Sequence, residues 1–409
     1  MRNLIKLSIR FLLNIIRFFI FIFIYFFLFF NFKKKFSKEY FNFKSINLVT
    51  FGKYNGLSYV MDDLGDTLKR YKFKLNYVYI VLPLPFFKRM LSRLRSKNFK
   101  NNSINIFIGN PNIIPASIFL DKNAIFANHY NVGLWFWELY ELPWVWKSTK
   151  KFINEIWVYS EFNANIFKSL NLNIHKIPFA IDIKINRAYD RPYFHLPLKP
   201  FIFLFSFDFG SSFNRKNPLA VIKAFTNAFR RSKNVLLIIK SVNMEYYPFH
   251  KSELIQLINQ ANNIISIDKI MRKEEKDALI NCCDCYVSLH RSEGLGLGMA
   301  EAMYLGKPVI ATNFSGNLEF MNSSNSCLVN YKLKEVSADE YPHGFSLRKR
   351  FWADPDINHA SELMLKIRMN KSFRDKIGIQ ASHDIKLNFS KETQSASILS
   401  RLRAISNYQ

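Results

Sequence analysis

Two glutamates, Glu293 and Glu301, bracket a run with glycine at positions 294, 296 and 298. An ionised carboxylate only accepts hydrogen bonds, so it suits sugar and ribose hydroxyls, which must donate, and it repels phosphate. Glycines between the two let backbone N–H groups come close to an anionic or polyhydroxyl ligand, because no Cβ stands in the way. The chemistry written in this run is therefore a crevice where acceptor side chains meet hydroxyls and loop amides meet oxygens.

Positioning such a run needs a strand before it and a helix after it. Cys285 to Leu289 is short, apolar and β-prone, Met299 to Leu305 contains only helix formers or tolerated residues, and Gly306 and Pro308 stop the helix. Val309-Ile-Ala-Thr312 then resumes as a buried strand. The expected order is strand, glycine-rich loop, helix, strand, with Glu293 in the loop and Glu301 in the helix's first turn, both facing one crevice.

Glu293-x7-Glu301, with Gly-Leu-Gly between and Glu-Ala-Met-x-Leu-Gly-Lys-Pro-Val-Ile-Ala-Thr following, resembles the donor-site signature of the family 4 (group 1) retaining glycosyltransferases, which have the GT-B fold. In that family the first Glu lies at the donor sugar, the loop amides hold sugar hydroxyls and phosphate, and the second Glu binds the nucleotide ribose. The resemblance implies these roles for Glu293, for Gly294, Leu295 and Gly296, and for Glu301.

Upstream, Phe201 to Asp208 reads as a buried strand, Gly210 to Asn214 as a loop, and Arg215-Lys-Asn-Pro218 as the opening of a helix through Arg230, with Pro218 well placed at its start. Two cations at the positive end of a helix are unfavourable unless an anionic partner arrives; the plainer reading makes them first-turn surface charges. Asp-Phe-x-Ser-x-x-x-Arg-Lys-Asn-Pro-x-x-x-Ile-x-Ala-Phe resembles one branch of the same family, where the lysine reaches the donor diphosphate, which implies that role for Lys216. The wider family has an arginine where this chain has Ser211, a departure that offers Arg215 as its substitute.

Tyr130 to Trp146 holds four tryptophans, with Glu138 and Glu141 among them. Such a segment is either a core strand with its edge or a wall on which sugars stack. In the same branch a Gly-x-Trp-x-Trp-Glu-Leu run lies near the cleft of the acceptor domain, which makes Glu138 a candidate cleft residue; His129 precedes it without a residue-by-residue match. Phe314–Met321 and Trp352–Asp356 extend the likeness, which covers about Ile46 to Ile405.

Around these motifs the chain reads as α/β. Ile46–Phe51 is a first strand, Gly52–Gly56 a turn, Ser58–Tyr71 a helix with Val60, Leu64 and Leu68 on one face, and Leu75–Leu82 and Ile104–Pro111 further strands. Phe179–Pro200 reads as an interdomain linker. Val235–Lys240 and Ile264–Ile267 continue as strands, with helices over Ser252–Asn259 and Lys273–Ile280. The expected fold is GT-B: an acceptor domain over 45–195 and a nucleotide-sugar domain over 196–385, both Rossmann-like and doubly wound, face each other across a cleft. Residues 386–409 are expected to return as a helix to the first domain.

Residues 1–44 differ in texture. Phe18 to Phe32 carries no charge and is flanked by Arg and Lys on both sides. As a helix it spans only ~22 Å, short of a ~30 Å hydrocarbon core; extending it back to Phe11 gives enough length if Arg17 snorkels. A membrane-associated segment, spanning or lying on the surface, competes with a cleaved signal peptide that lacks a small-residue cleavage site. The net charge of +27 fits an acidic membrane surface, an anionic lipid carrier or nucleic acid, or a compositional bias rich in Lys, Asn, Ile and Phe; the lysines are scattered, which argues against a nucleic-acid platform. The basic stretch 86–103 is either a membrane-facing helix or a solvated surface. Four cysteines, at 282, 283, 285 and 327, fit no zinc spacing and no secreted disulfide framework, so a reducing compartment is expected.

The resemblance implies a retaining, metal-independent enzyme without a cofactor, at the cytoplasmic side of a membrane. It would move a hexose-type sugar from a nucleotide sugar to a glycan or lipid-linked acceptor in cell-surface polysaccharide or lipopolysaccharide synthesis. The alternative is a catalytically silent GT-B scaffold of a polysaccharide assembly complex. The sequence leaves the oligomeric state open.

Overall fold

A computed structural model of the chain describes residues 43, 45–52, 56–80, 103–126, 128–230, 232–337, 340–341 and 350–406, and describes no side chains for residues 119–124. The expected membrane-associated segment, apart from Phe43, and the basic stretch 86–103, apart from Ser103, lie outside these residues. Among the described residues no helix is long and apolar enough to cross a membrane.

The first sheet contains β1 (Ser45–Phe51), β2 (Leu75–Ile80), β3 (Ser103–Gly109), β4 (Tyr130–Trp135), β5 (Glu155–Val158) and β6 (Asn173–Lys176). Its helices are α1 (Gly56–Lys69), α2 (Ile113–Phe126) and α3 (Glu161–Phe167). The strands are parallel in the order β2-β1-β3-β4-β5-β6. A parallel sheet is covered on both faces, which explains near-continuous apolar strands such as Ile104-Asn-Ile-Phe-Ile108. Register is marked by asparagines: Asn76 donates to Asn47 at 2.7 Å, Asn47 to Asn105 at 2.6 Å and Asn105 to Asn131 at 2.9 Å, across four neighbouring strands. Slipping any strand by one residue would leave buried amides unpaired.

The second sheet contains β7 (Phe201–Asp208), β8 (Val235–Val242), β9 (Ile264–Asp268), β10 (Cys285–Ser288), β11 (Val309–Thr312) and β12 (Cys327–Val329). The intervening helices are a one-turn α4 (Phe213–Lys216), then α5 (Pro218–Phe229), α6 (Pro248–Ile258), α7 (Lys273–Cys282) and α8 (Leu297–Tyr304). The order is β12-β11-β10-β7-β8-β9, again parallel. In each sheet the chain departs in opposite directions from one strand, leaving a crevice at the carboxyl ends: between β1 and β3 in the first, between β7 and β10 in the second. The two crevices face each other, and one hydrophobic cluster runs through both domains, from Ile46 and Ile106 to Leu204, Ile238 and Met303.

Sequence periodicity gives no sign of the antiparallel hairpin β13 (Tyr331–Glu335) and β14 (Phe351–Pro355). Its Trp352, with Val336 and Tyr341 nearby, packs into the aromatic core of the first domain beside Trp137 and Trp146, so the second domain completes the first domain's interior. The connection between β6 and β7 is irregular and pinned by Arg191, which donates to Leu198 O at 2.8 Å and pairs with Asp284 at 2.9 Å.

Three helices close the chain, α9 (Ile357–Met369), α10 (Lys371–Asn388) and α11 (Lys391–Ser406). The last begins later than residue 386 and lies against the first domain. Thr67 donates to Gln394 at 2.8 Å, and Arg401 meets the fully buried Glu155 carboxylate, with Nε at 2.9 and 3.1 Å from its two oxygens. Tyr130 and Trp157 also donate to Glu155, at 2.7 and 2.6 Å, so this buried charge is both paired and hydrogen-bonded. Deep burial holds the Tyr130 hydroxyl well above its ordinary range, with the Glu155 charge adding to the shift.

Candidate active site

The facing crevices enclose a cleft of about 620 Å³, a size suited to a small-molecule ligand. Gly56, Leu57, Gly109, Asn110 and Glu138 line it from the first domain, and residues 206–208, 210–212, 293–299 and Glu301 from the second.

The glycine-rich loop is shaped by three close approaches. Gly296 has φ of +94° and ends the loop as the cap of α8, a conformation a side chain would strain. A Cβ on Gly298 would stand 2.7 Å from the Tyr286 hydroxyl, and one on Gly316 would collide with the Gly294 carbonyl. Glu293 N donates to Ser315 Oγ at 2.8 Å and Gly316 N to Glu293 O at 2.9 Å, fastening the loop's start. Among the described residues the N–H groups of Gly294, Leu295 and Gly296 have no acceptor in the protein. They are the groups a ligand's oxygens would meet.

Glu293, Lys216, Arg215 and Glu138 come together as one network. Lys216 Nζ pairs with Glu293 Oε1, Arg215 Nη1 lies 3.2 Å from Glu293 Oε2, and Arg215 Nη2 lies 3.7 Å from Glu138 Oε1. Tyr341 donates to Glu138 Oε2 at 2.8 Å and is itself buried between Trp137 and Trp352. Burial alone would raise the Glu293 carboxyl; Lys216, Arg215 and then His290 outweigh it and hold it at about 2. Burial likewise works against the Arg215 charge, and Glu293 and Glu138 more than restore it. His290 is kept below its ordinary value by burial, while Ser288, Asn317 and the Phe314 carbonyl hold its ring.

Two expected placements are corrected. Arg215 and Lys216 do not open the helix that starts at Pro218. They end the one-turn α4, after which Asn217 turns left-handed at φ of 55° and donates to Leu289 O at 3.0 Å. The electrostatic case made from a helix's positive end therefore fails; these cations answer Glu293 and Glu138 instead. Arg215, 4% exposed, donates to Ser211 O and Ser292 O, both at 2.8 Å, so it braces the site rather than reaching freely into the cleft. Glu301 stands at the fifth position of α8, not in its first turn, where it lines the cleft and accepts from Lys276 Nζ at 2.6 Å.

His129 lies at the opposite end of the first sheet, where its Nδ1 accepts from Ser103 N at 3.4 Å, and it is absent from the lining of the cleft. Of the tryptophans, Trp135, Trp137 and Trp146 are buried and form core, while Trp144 is exposed, so the segment is no sugar-stacking wall. In the Asp354-Pro-Asp356 triplet Asp354 pairs with Arg291 at 3.1 Å and Asp356 caps α9, so both carboxylates have structural partners.

Sequence reasoning missed Tyr341, Lys240 and Lys276, all lining the cleft. Lys240 had a signal: it is a charged residue inside the strand Val-Leu-Leu-Ile-Ile-Lys-Ser-Val. Tyr341 and Lys276 had none, because only the tertiary fold brings them to the cleft. The two domains are also joined around the loop. Ser160 Oγ donates to Gly294 O at 3.0 Å, Ser292 Oγ to Glu138 O, and Glu161 N to Glu319 Oε2 at 2.8 Å.

Residues 190–338, which hold the loop, both glutamates and Lys216, match the family described as Glycosyl transferases group 1. The human alpha-1,3/1,6-mannosyltransferase ALG2 is 25% identical over 152 residues, 37% of this chain and 30% of the relative, so the match spans under a third of that relative's length. Among solved structures, Anabaena Alr3699/HepE in complex with UDP and glucose superposes with a TM-score of 0.63 at 13% identity, covering 88% of this chain and 99% of that one. Sucrose-phosphate synthase from Thermosynechococcus elongatus gives 0.64 at 13% identity, with the same coverages. These likenesses carry the GT-B arrangement of two parallel-sheet domains. The glutamate-flanked glycine loop lies inside the stretch 190–338 that is similar to the group 1 glycosyltransferases.

Proposed function

We propose that this chain transfers a hexose-type sugar from a nucleotide-sugar donor to a glycan or lipid-linked acceptor, with retention of configuration and without a metal ion. The observation that carries the reading is the junction of Glu293, Glu301 and the acceptor-free amides of Gly294, Leu295 and Gly296 in one cleft between two domains. Glu301 has one carboxylate oxygen on Lys276 and the other to offer to ribose hydroxyls. Glu293, held ionised by its two cations, orients the sugar through its hydroxyls. Lys216 is partly exposed at the cleft and turns from Glu293 toward the diphosphate as charge builds on the leaving group. Arg215 keeps both carboxylates in place.

Retention follows if the leaving diphosphate guides the incoming hydroxyl on its own face, so that the protein's contribution is positioning and charge stabilisation. Glu138 stands on the acceptor-domain wall of the cleft, facing the reacting end. The UDP and glucose bound by HepE and the mannosyltransferase activity in ALG2's name make UDP-sugars and mannosyl donors the first to try.

A thermal-shift screen over UDP-, GDP- and other nucleotide sugars, followed by product analysis of the anomeric linkage, tests the reading. A bound donor at about a hundred times its dissociation constant stabilises by ~2.7 kcal/mol. No shift with any nucleotide sugar, or an inverted product, would overturn it. We place the chain at the cytoplasmic side of a membrane through residues 1–44, in cell-surface polysaccharide or lipopolysaccharide synthesis. Deleting 1–44 should release it from membranes while the cleft keeps its donor; a truncated chain that still sediments after a high-salt wash would refute that anchor.

A further inference from the structure

Among the described residues the cleft is lined by four cations, and three of them already have carboxylate partners: Arg215 with Glu138 and Glu293, Lys216 with Glu293, and Lys276 with Glu301. Lys240 is the exception. It sits near the carboxyl end of β8, opposite Ser206 of β7 and Ile267 of β9, is 7% exposed, and lines the cleft. Among the described residues its ammonium has neither an ion-pair partner nor a hydrogen-bond acceptor. The acids that influence it are not in ion-pair contact with it, and each has one oxygen held by another group. Asp208 Oδ1 accepts from Gly210 N and Asn243 Nδ2, both at 2.8 Å, and Asp268 Oδ1 accepts from Ser241 Oγ at 2.7 Å. A desolvated ammonium without a counter-charge is costly, so its persistence at a ligand cleft calls for an anion that arrives with the ligand.

We infer that Lys240 binds a phosphate group of the nucleotide's diphosphate, forming with Lys276 a second cationic pole at the Glu301 end of the cleft. The inference rests on the nucleotide-sugar reading above for the identity of the anion. Base recognition by Lys240 is the competing outcome, since an ammonium also donates to carbonyl oxygens. The diphosphate is favoured because a full negative charge compensates the buried cation, whereas a neutral base leaves it in place.

The surroundings give Lys240 a usable signature. Burial, with Lys276 of α7 beside it, pushes its ammonium down to about 8, against the pull of Asp208 on β7 and Asp268 on β9. Glu301 of α8 is tied to Lys276, and Asp277 of α7 to Lys273 and Lys276. Below about 8 the ammonium is present before the ligand arrives; above it, binding an anion must draw a proton onto Lys240.

The test uses the full chain and calorimetry with inorganic pyrophosphate, UDP and uridine. In Lys240→Met, pyrophosphate and UDP should bind about tenfold weaker or worse, as for loss of one charge-assisted contact, while uridine binds as before. Wild-type affinity for UDP should fall as pH rises through about 8, with proton uptake visible as a buffer-dependent enthalpy. Lys240→Arg should keep the affinity and lose that pH dependence, because arginine stays charged. Its retained binding also guards against a Lys240→Met variant that folds poorly. Equal binding of pyrophosphate and UDP by wild type and Lys240→Met would overturn the inference, and so would a uridine loss as large as the UDP loss, which would make Lys240 a reader of the base. Sugar transfer failing with every donor while pyrophosphate still depends on Lys240 would instead break the proposed function and leave this site standing.

Discussion

The two ends of the cleft are built on different principles. At one end, Tyr341, Glu138, Arg215, Glu293 and Lys216 form a chain of contacts drawn from both domains, and each cation faces a carboxylate. At the other, Lys240, Lys276 and Glu301 all belong to the second domain; Lys276 faces Glu301 and, at 4.0 Å, Asp277, while among the described residues Lys240 has no carboxylate in contact. The balanced end is preorganised: its groups already hold one another in place. The end that holds Lys240 keeps one buried cation without a contacting carboxylate, which suits binding an anion. Under the proposed function, this difference would separate holding the nucleotide from handling the bond that breaks.

The largest expected effect breaks the balanced end. Lys216→Ala removes the partly exposed cation of the network, and kcat should fall by about a hundredfold or more, with a smaller rise in KM, as for loss of a donor to developing charge. Equal changes in both would place Lys216 in ground-state binding instead. Glu301→Ala acts at the other end. It should weaken nucleotide binding by ~1.5–3 kcal/mol while the rate at saturating donor changes little, and an unchanged donor KM would remove Glu301 from the ribose.

The two ends should also differ in their response to pH. Glu293 has a folded value of about 2, below the ordinary 4.5, so it stabilises the fold above about 4.5 and loses that contribution as pH falls toward 2. Lys240 has a folded value of about 8, below its ordinary 10.5, so its protonated form opposes folding below about 8, and stability rises between about 8 and 10.5. At ~1.4 kcal/mol per unit, each contribution is at most a few kcal/mol. Denaturation against pH should show the acid limb shrink in Glu293→Gln and the alkaline rise vanish in Lys240→Met; limbs that persist in both variants would assign them to other groups.

The smallest effect sharpens the comparison. Tyr341→Phe deletes one hydrogen bond to Glu138 and keeps the ring between Trp137 and Trp352, so it should lower stability by only ~0.5–1.5 kcal/mol. Because Glu138 is then free to shift, acceptor KM should rise more than donor KM. A change confined to the donor would show that the network does not extend across the domains.

The α/β alternation, the strand before the glycine loop and the helix after it were legible in the sequence because they are local. Apolar runs, glycines and prolines specify them within about ten residues. Glu293 and Glu301 were legible for the same reason: their spacing is set by one loop and one helix. The sequence by itself thus determined the βαβ unit at the loop and the kind of chemistry its residues suit. It misplaced Arg215 and Lys216, since the left-handed Asn217 that ends their turn is held by the Leu289 carbonyl, 72 residues away. Only the tertiary structure decided that Tyr341 reaches Glu138 across the domain boundary, that His129 lies at the far end of the first sheet from the cleft, and that Lys240 is buried without a partner among the described residues. Each depends on which distant strands become neighbours, and the charge balance of the cleft is a property of that neighbourhood rather than of any stretch of chain.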